Sequence, residues 1–149
     1  MFNPNQQEFE INSLTELQNK IPVIWQQIQN LNCKIVLLQG EMGAGKTTFV
    51  SYLLKYLGSK DKVSSPTFSL VNHYQLPNHQ TVFHFDCYRI KSLQEALEAG
   101  LEEYFYQDAW CIIEWPQNIQ QLLPENFTVI KFKTNGIKRY ISIHTISNK

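Results

Sequence analysis

The residues Gly40-Glu41-Met42-Gly43-Ala44-Gly45-Lys46-Thr47 fit the pattern G-x-x-x-x-G-K-[ST]. Small residues at Gly43, Ala44 and Gly45 let backbone N–H groups curl around a phosphate that larger side chains would hold away. The positive end of a following helix adds to the attraction. Lys46 is placed to reach β- and γ-phosphate oxygens. The Thr47 hydroxyl is placed to join Mg²⁺, which takes octahedral oxygen ligands and keeps several waters. The chemistry is that of holding a nucleoside triphosphate, with Thr48 counted among the nucleotide contacts. A glycine-rich turn bearing a surface lysine is the alternative, and the flanking elements argue against it.

Such a site needs an acid near the metal, at the end of a buried strand. Two compete: Asp86 after Val82-Phe83-His84-Phe85, and Glu114 after Trp110-Cys111-Ile112-Ile113. Both acids are expected at the carboxyl edge of the sheet, where open α/β folds bind ligands. Ser64-Ser65-Pro66-Thr67-Phe68 lies where nucleotide switches carry a γ-phosphate-sensing hydroxyl, so Thr67 is a candidate beside the plainer reading of a Ser-Pro turn. Arg89 could stabilise phosphate charge in cis or pair with Glu95 or Glu98. The histidines, His73, His79, His84 and His144, match no zinc spacing and read as structural or surface residues.

Elements must position these groups. Lys34-Ile35-Val36-Leu37-Leu38-Gln39 has the unbroken apolarity of a strand buried on both faces. From Thr47 onward, Phe49, Val50, Leu53, Leu54 and Leu57 follow helical spacing until Gly58. Strand, glycine loop and helix therefore follow one another directly. Upstream, Ser13 and Glu16 have capping-box spacing, and Leu14, Leu17, Ile21, Ile24, Ile28 and Leu31 predict an amphipathic helix. Pro22 predicts a kink or break at 20–22. Further strands are expected at 68–74, 81–86, 109–114, 127–133 and 137–146, with a helix at 93–99. Asn135-Gly136 marks an antiparallel C-terminal hairpin. The expectation is one α/β P-loop NTPase domain over 1–149, with a mixed, mostly parallel sheet and flanking helices.

Composition narrows the function. The 149 residues can bury roughly 68–70% of the unfolded surface, enough for one core without staples. With 43% apolar and 17% charged residues, the composition argues against disorder. Thirteen Lys and Arg balance 13 Asp and Glu, which argues against a stand-alone nucleic-acid binder. Lys131, Lys133, Lys138 and Arg139 nonetheless cluster around the hairpin and leave direct contact with RNA open there. Cys33, Cys87 and Cys111 form no C-x-x-C pair and read as core residues in a reducing compartment. The start has no signal-peptide pattern, and no apolar run spans a bilayer. The expectation is a cytoplasmic protein with no membrane association.

Four ordered segments are together far more specific than a P-loop: Gly-Glu-Met-Gly-Ala-Gly-Lys-Thr-Thr-Phe at 40–49, Ser-Pro-Thr-Phe at 65–68, His-Phe-Asp-Cys-Tyr-Arg-Ile at 84–90 and Ile-Glu-Trp-Pro at 113–116. In these the chain closely resembles the TsaE (YjeE) family of bacterial P-loop ATPases. The resemblance implies work with TsaD and TsaB in making threonylcarbamoyladenosine at tRNA position 37, with ATP hydrolysis supporting multiple turnover and tRNA contact mainly indirect. It implies Thr47 and Glu114 as Mg²⁺ partners, Lys46 and the loop backbone on the phosphates of ATP or ADP, and Thr67 as switch hydroxyl. Asp86 would be a catalytic or supporting carboxylate, Trp115 part of the site, and the stretch Asn12 to Thr15, with Thr15 in the site, near the adenine. Glu41, Met42, Cys87 and Gln117 depart from the family's usual residues. A small-molecule kinase and a non-hydrolysing nucleotide sensor remain rival classes, although the chain has only Arg89 and Arg139 from which to build a basic lid. A GTPase would need an Asn-Lys-x-Asp motif, which Asn19-Lys20-Ile21-Pro22 fails.

Overall fold

In Gln7-Glu8-Phe9-Glu10-Ile11 polar and apolar residues alternate, so that Phe9 and Ile11 are buried while Glu8 and Glu10 face solvent. They form an edge strand, β1 (Gln7–Ile11), that the sequence pattern did not announce. The structure, a computed structural model, describes residues 7–60 and 70–147. Helix α1 (Leu14–Asn30) begins as expected: the Ser13 hydroxyl accepts from the Glu16 N–H at 3.1 Å, and the Glu16 carboxylate accepts from the Asn12 N–H. It buries Leu17, Ile21, Ile24, Trp25 and Ile28, but Leu14 is exposed. The break expected at 20–22 does not occur, since α1 runs through Pro22. Pro22, which has no N–H to offer the Gln18 carbonyl, is exposed, as is Gln18. Water can satisfy that carbonyl while the buried face keeps the helix on the sheet.

Next come β2 (Ile35–Gln39), α2 (Lys46–Tyr56), β3 (Val71–Gln75), β4 (Thr81–Asp86), α3 (Leu93–Glu98) and α4 (Leu101–Phe105). Then β5 (Trp110–Glu114), a 3-10 helix (Pro116–Leu122), β6 (Asn126–Asn135) and β7 (Lys138–Ser147) complete the described chain. The short α4 was not expected; Gly100, left-handed (φ 72°), follows the end of α3 and starts it. The hairpin is as expected, but Asn135 pairs with Lys138, so its central residues are Gly136 (φ 66°) and Ile137, one position later than the Asn-Gly signal. Glycine at the first of two turn positions satisfies the positive φ there.

The seven strands form one sheet in the order β1-β7-β6-β2-β5-β4-β3. Its centre is parallel, with β2 between β5 and β6 and β4 beside β5; both edges are antiparallel. One core layer, holding Ile24, Phe49, Leu53, Trp25 and Trp110, lies under α1 and α2. The other, holding Phe85, Leu101, Ile113 and Ile119, lies under α3, α4 and the 3-10 helix. Cys87 and Cys111 are buried free thiols, pushed up to about 12 by desolvation, and Cys33 is a half-buried free thiol. No helix among the described residues is long and apolar enough to cross a membrane.

Gly40 leaves β2 against β6, where a Cβ would meet the Cβ and carbonyl oxygen of Phe132 at 2.9 Å each. Backbone cannot yield there, so Gly40→Ala should destabilise by about 1–3 kcal/mol. Thermal denaturation checks this, each kcal/mol lowering Tm by about 2–4 °C for a chain of this size.

Candidate functional site

Placing β2 in the middle of the sheet carries the glycine loop to its carboxyl edge, beside the ends of β4 and β5. The loop turns twice through left-handed conformations, at Gly43 (φ 82°) and Gly45 (φ 103°), between which Ala44 is buried and donates its N–H to the Glu41 carbonyl at 3.0 Å. Gly45 caps α2 with no side chain of its own, leaving the first N–H groups of the helix for an anion.

Lys46 is 5% exposed, and its Nζ donates to the Gly40 carbonyl at 2.6 Å. The ammonium lies 3.5 Å from the Trp115 ring centroid, a cation–π contact. Burial lowers its pKa from the usual lysine range, while the charges of Glu114 and Asp86 pull the other way. Trp115 itself has φ 56° and ψ 60°, a left-handed turn that ends β5 and is followed directly by Pro116. Tyr88 packs edge-on against it, with ring centroids 5.2 Å apart.

Asp86 and Glu114 are register partners across the parallel β4–β5 pair, so both candidate acids end their strands side by side. Glu114 is 3% exposed and accepts from the Thr47 hydroxyl, at 3.2 Å to Oε1 and 3.4 Å to Oε2. Its Oε2 also lies 2.5 Å from His84 Nε2. Asp86 is half-buried and accepts from the Tyr88 N–H at 3.1 Å. These groups line a cleft of about 380 Å³ together with Met42, Gly43, Gly45, Thr48, Trp115 and Arg139.

A second cleft, of about 550 Å³, adjoins the first, sharing Gly45, Thr48 and Arg139. One wall is Ile11, Asn12, Ser13 and Leu14; the other is Phe132, Ile137, Tyr140 and Ile141 of the hairpin. Mostly apolar and next to a phosphate-shaped loop, it has the character of a base-binding slot. Of the stretch Asn12 to Thr15, Asn12, Ser13 and Leu14 line this cleft, whereas Thr15 is exposed on the first turn of α1 and is not among the lining residues. Glu41 is exposed on the loop, and Thr67 lies outside the described residues.

The donor set fits a hard divalent cation, because a hydroxyl and a carboxylate already in contact are the protein oxygens such an ion would share. No three His, Cys, Asp or Glu side chains among the described residues form a cage. A cation here would draw its other ligands from a nucleotide and from water.

Two members of the site were missed at the level of sequence. Arg139, weighed as part of a basic patch and as one of two arginines available to a lid, comes over the loop so that a Cβ on Gly45 would lie 3.2 Å from its Nη1. The cleft arginine is thus Arg139, since exposed Arg89 lines neither cleft. Its register against Ile11 of β1 depends on a strand the pattern did not reveal. His84 was read as structural or surface, yet it is fully buried against Glu114. Strand alternation put it on the same face as Asp86, a signal that was present.

Comparison with known proteins gives concordant findings. The family model described as "Threonylcarbamoyl adenosine biosynthesis protein TsaE" matches residues 11–141. The tRNA threonylcarbamoyladenosine biosynthesis protein TsaE of Rickettsia prowazekii is 36% identical over 136 residues, covering 90% of this chain and 92% of the relative. The protein of the same name from Haemophilus influenzae is 34% identical, covering 76% of this chain and 71% of the relative. That of Bacillus subtilis is 35% identical, covering 77% and 72%. The crystal structure of Bacillus subtilis YdiB superposes with a TM-score of 0.67 over 95% of this chain and 86% of that chain; at 23% identity this is a likeness of fold.

Proposed function

Because this chain belongs to the TsaE family, whose role is threonylcarbamoyladenosine biosynthesis, we propose that it is an ATPase of the tRNA-modifying machinery, working in the cytoplasm with TsaD and TsaB. The observation that carries the ATPase reading is the convergence of Lys46, Thr47, Glu114 and Asp86 on one cleft, with a base-sized slot adjoining it. ATP enters with its base between the start of α1 and the hairpin, and its phosphates against the backbone N–H groups of residues 43–47. Lys46 exchanges the Gly40 carbonyl for phosphate oxygens. Thr47 and Glu114 would hold Mg²⁺, which would supply charge neutralisation on the phosphate oxygens.

Asp86 sits at the phosphate end of the cleft, fixed by the Tyr88 N–H, where a carboxylate can orient a water and accept its proton. Thr67 supplies the switch hydroxyl in this reading. Trp115 walls the Lys46 ammonium, and Arg139 adds positive charge where the two clefts meet. The chemistry on tRNA belongs to the partners, which also hold most of the RNA.

Turnover of ATP by the purified chain, alone and with TsaD and TsaB, tests this. Slow hydrolysis alone and a rise with the pair are expected. Failure to bind the pair, together with phosphoryl transfer to a small acceptor, would replace this reading with a kinase. Arg139→Ala should weaken ATP binding about tenfold, as loss of one exposed charge-assisted contact implies. Titration with a fluorescent ATP analogue checks it, and unchanged affinity would remove Arg139 from the ligand.

A further inference from the structure

His84 lies at the centre of β4, with Asn72 of β3 and Ile112 of β5 as its register partners, and is 0% exposed. On the same sheet face Val82, Ile112 and Leu38 belong to the core layer under α1 and α2. A histidine there carries a cost that an aliphatic side chain would avoid. Its Nδ1 is buried with no hydrogen-bond partner among the described residues. What the position gains is the contact of Nε2 with Glu114 Oε2 at 2.5 Å.

An ionised carboxylate only accepts, so Nε2 donates in this bond. The Glu114 carboxylate is therefore held from behind by His84 and met from the front by Thr47, whose hydroxyl is nearer Oε1. Without the imidazole, a carboxylate that is 3% exposed would keep only the Thr47 hydroxyl as a hydrogen-bond partner among the described residues. That hydroxyl must turn its lone pairs outward when a cation arrives.

We propose that His84 is a positioning residue for the cation, fixing the rotamer and orientation of Glu114 so that its free oxygen and the Thr47 hydroxyl face the same point. This rests on the reading of the site as one that binds nucleotide with Mg²⁺. His84 touches neither ligand and acts only through Glu114. Orienting partners behind a metal-binding carboxylate typically account for about 10–100-fold in metal affinity.

The test is titration of a fluorescent ATP analogue into the full chain in EDTA and across a Mg²⁺ series, with Mn²⁺ binding to the nucleotide complex followed by electron paramagnetic resonance. His84→Phe keeps the ring's packing and removes the donor. It should leave affinity in EDTA within about twofold of wild type and raise the half-saturating Mg²⁺ and Mn²⁺ by about 10–100-fold. His84→Gln offers an amide N–H at similar reach and should return the metal dependence to within a few-fold of wild type. If His84→Phe does not fold, His84→Asn, whose amide is too short to reach Glu114, should give the same metal defect. Wild-type metal dependence in the Phe or Asn variant overturns the proposal. So does an equal loss in EDTA and in Mg²⁺, or a Gln variant as impaired as Phe. A wild-type chain that binds nucleotide with no Mg²⁺ dependence would instead overturn the underlying reading of the site.

Discussion

Lys46→Ala should raise the Kd for ATP about 100-fold or more, a larger loss of binding than that expected of Arg139→Ala. The wild-type ammonium is buried, has one carbonyl partner and an aromatic face beside it, and is held against the cost of desolvation by Glu114 and Asp86. Phosphate oxygens would supply several charge-assisted hydrogen bonds to it, each worth about 1.5–3 kcal/mol. Two such bonds already correspond to roughly 100-fold or more. Titration of a fluorescent analogue reads the loss, and unchanged affinity would falsify the phosphate-loop assignment. A second signature follows from the lowered pKa. The unfolded chain binds the Lys46 proton more tightly than the folded one, so the wild type should gain stability relative to Lys46→Ala as pH rises from the lowered value toward 10.5. Saturating ATP should erase that slope, because phosphate charge restores the ammonium's preference for its proton.

Glu114→Gln should lower ATP turnover by about 100-fold or more, while Asp86→Asn should affect Mg²⁺-dependent binding less. Charge neutralisation by the cation is worth several kcal/mol in a phosphoryl-transfer transition state, and Glu114 is the buried carboxylate in contact with Thr47. The amide would also turn an N–H toward either the Thr47 hydroxyl or His84 Nε2, both of which now meet carboxylate oxygens. Steady-state hydrolysis with TsaD and TsaB, alongside Mg²⁺ titration of nucleotide binding, separates the two acids. The reverse order of effects on Mg²⁺-dependent binding would exchange their roles.

The parts of this fold legible in the sequence are those set by local rules. The run from Ile35 to Gln39, the glycines after it and the spacing of Phe49, Val50, Leu53 and Leu54 put strand, loop and helix in place. The apolar runs ending in Asp86 and Glu114 put two acids at one sheet edge, and the structure makes them neighbours. Effects that depend on tertiary pairing were not legible. β1 is five residues long and gains its hydrogen bonds only from β7, so its weak alternation had no strength alone. Arg139 joined the site through that same pairing. Pro22 was misjudged because its cost depends on which side of α1 meets water. His84 was legible by alternation, but no spacing rule says that a buried histidine faces a carboxylate on the next strand.

The position of β2 has a consequence for synthesis of the chain. Val36 is paired with Ile112 on one side and with Thr128 on the other, so both neighbours of the phosphate-loop strand are encoded far downstream of it. Such long loops must close before their contacts are rewarded. The loop residues leave the ribosome early and stay unsupported until β5 and β6 have emerged; the hairpin wall of the second cleft comes later still. A chain released before the hairpin would carry every residue of the G-x-x-x-x-G-K-[ST] segment and still lack β6 beside β2 and one wall of the second cleft.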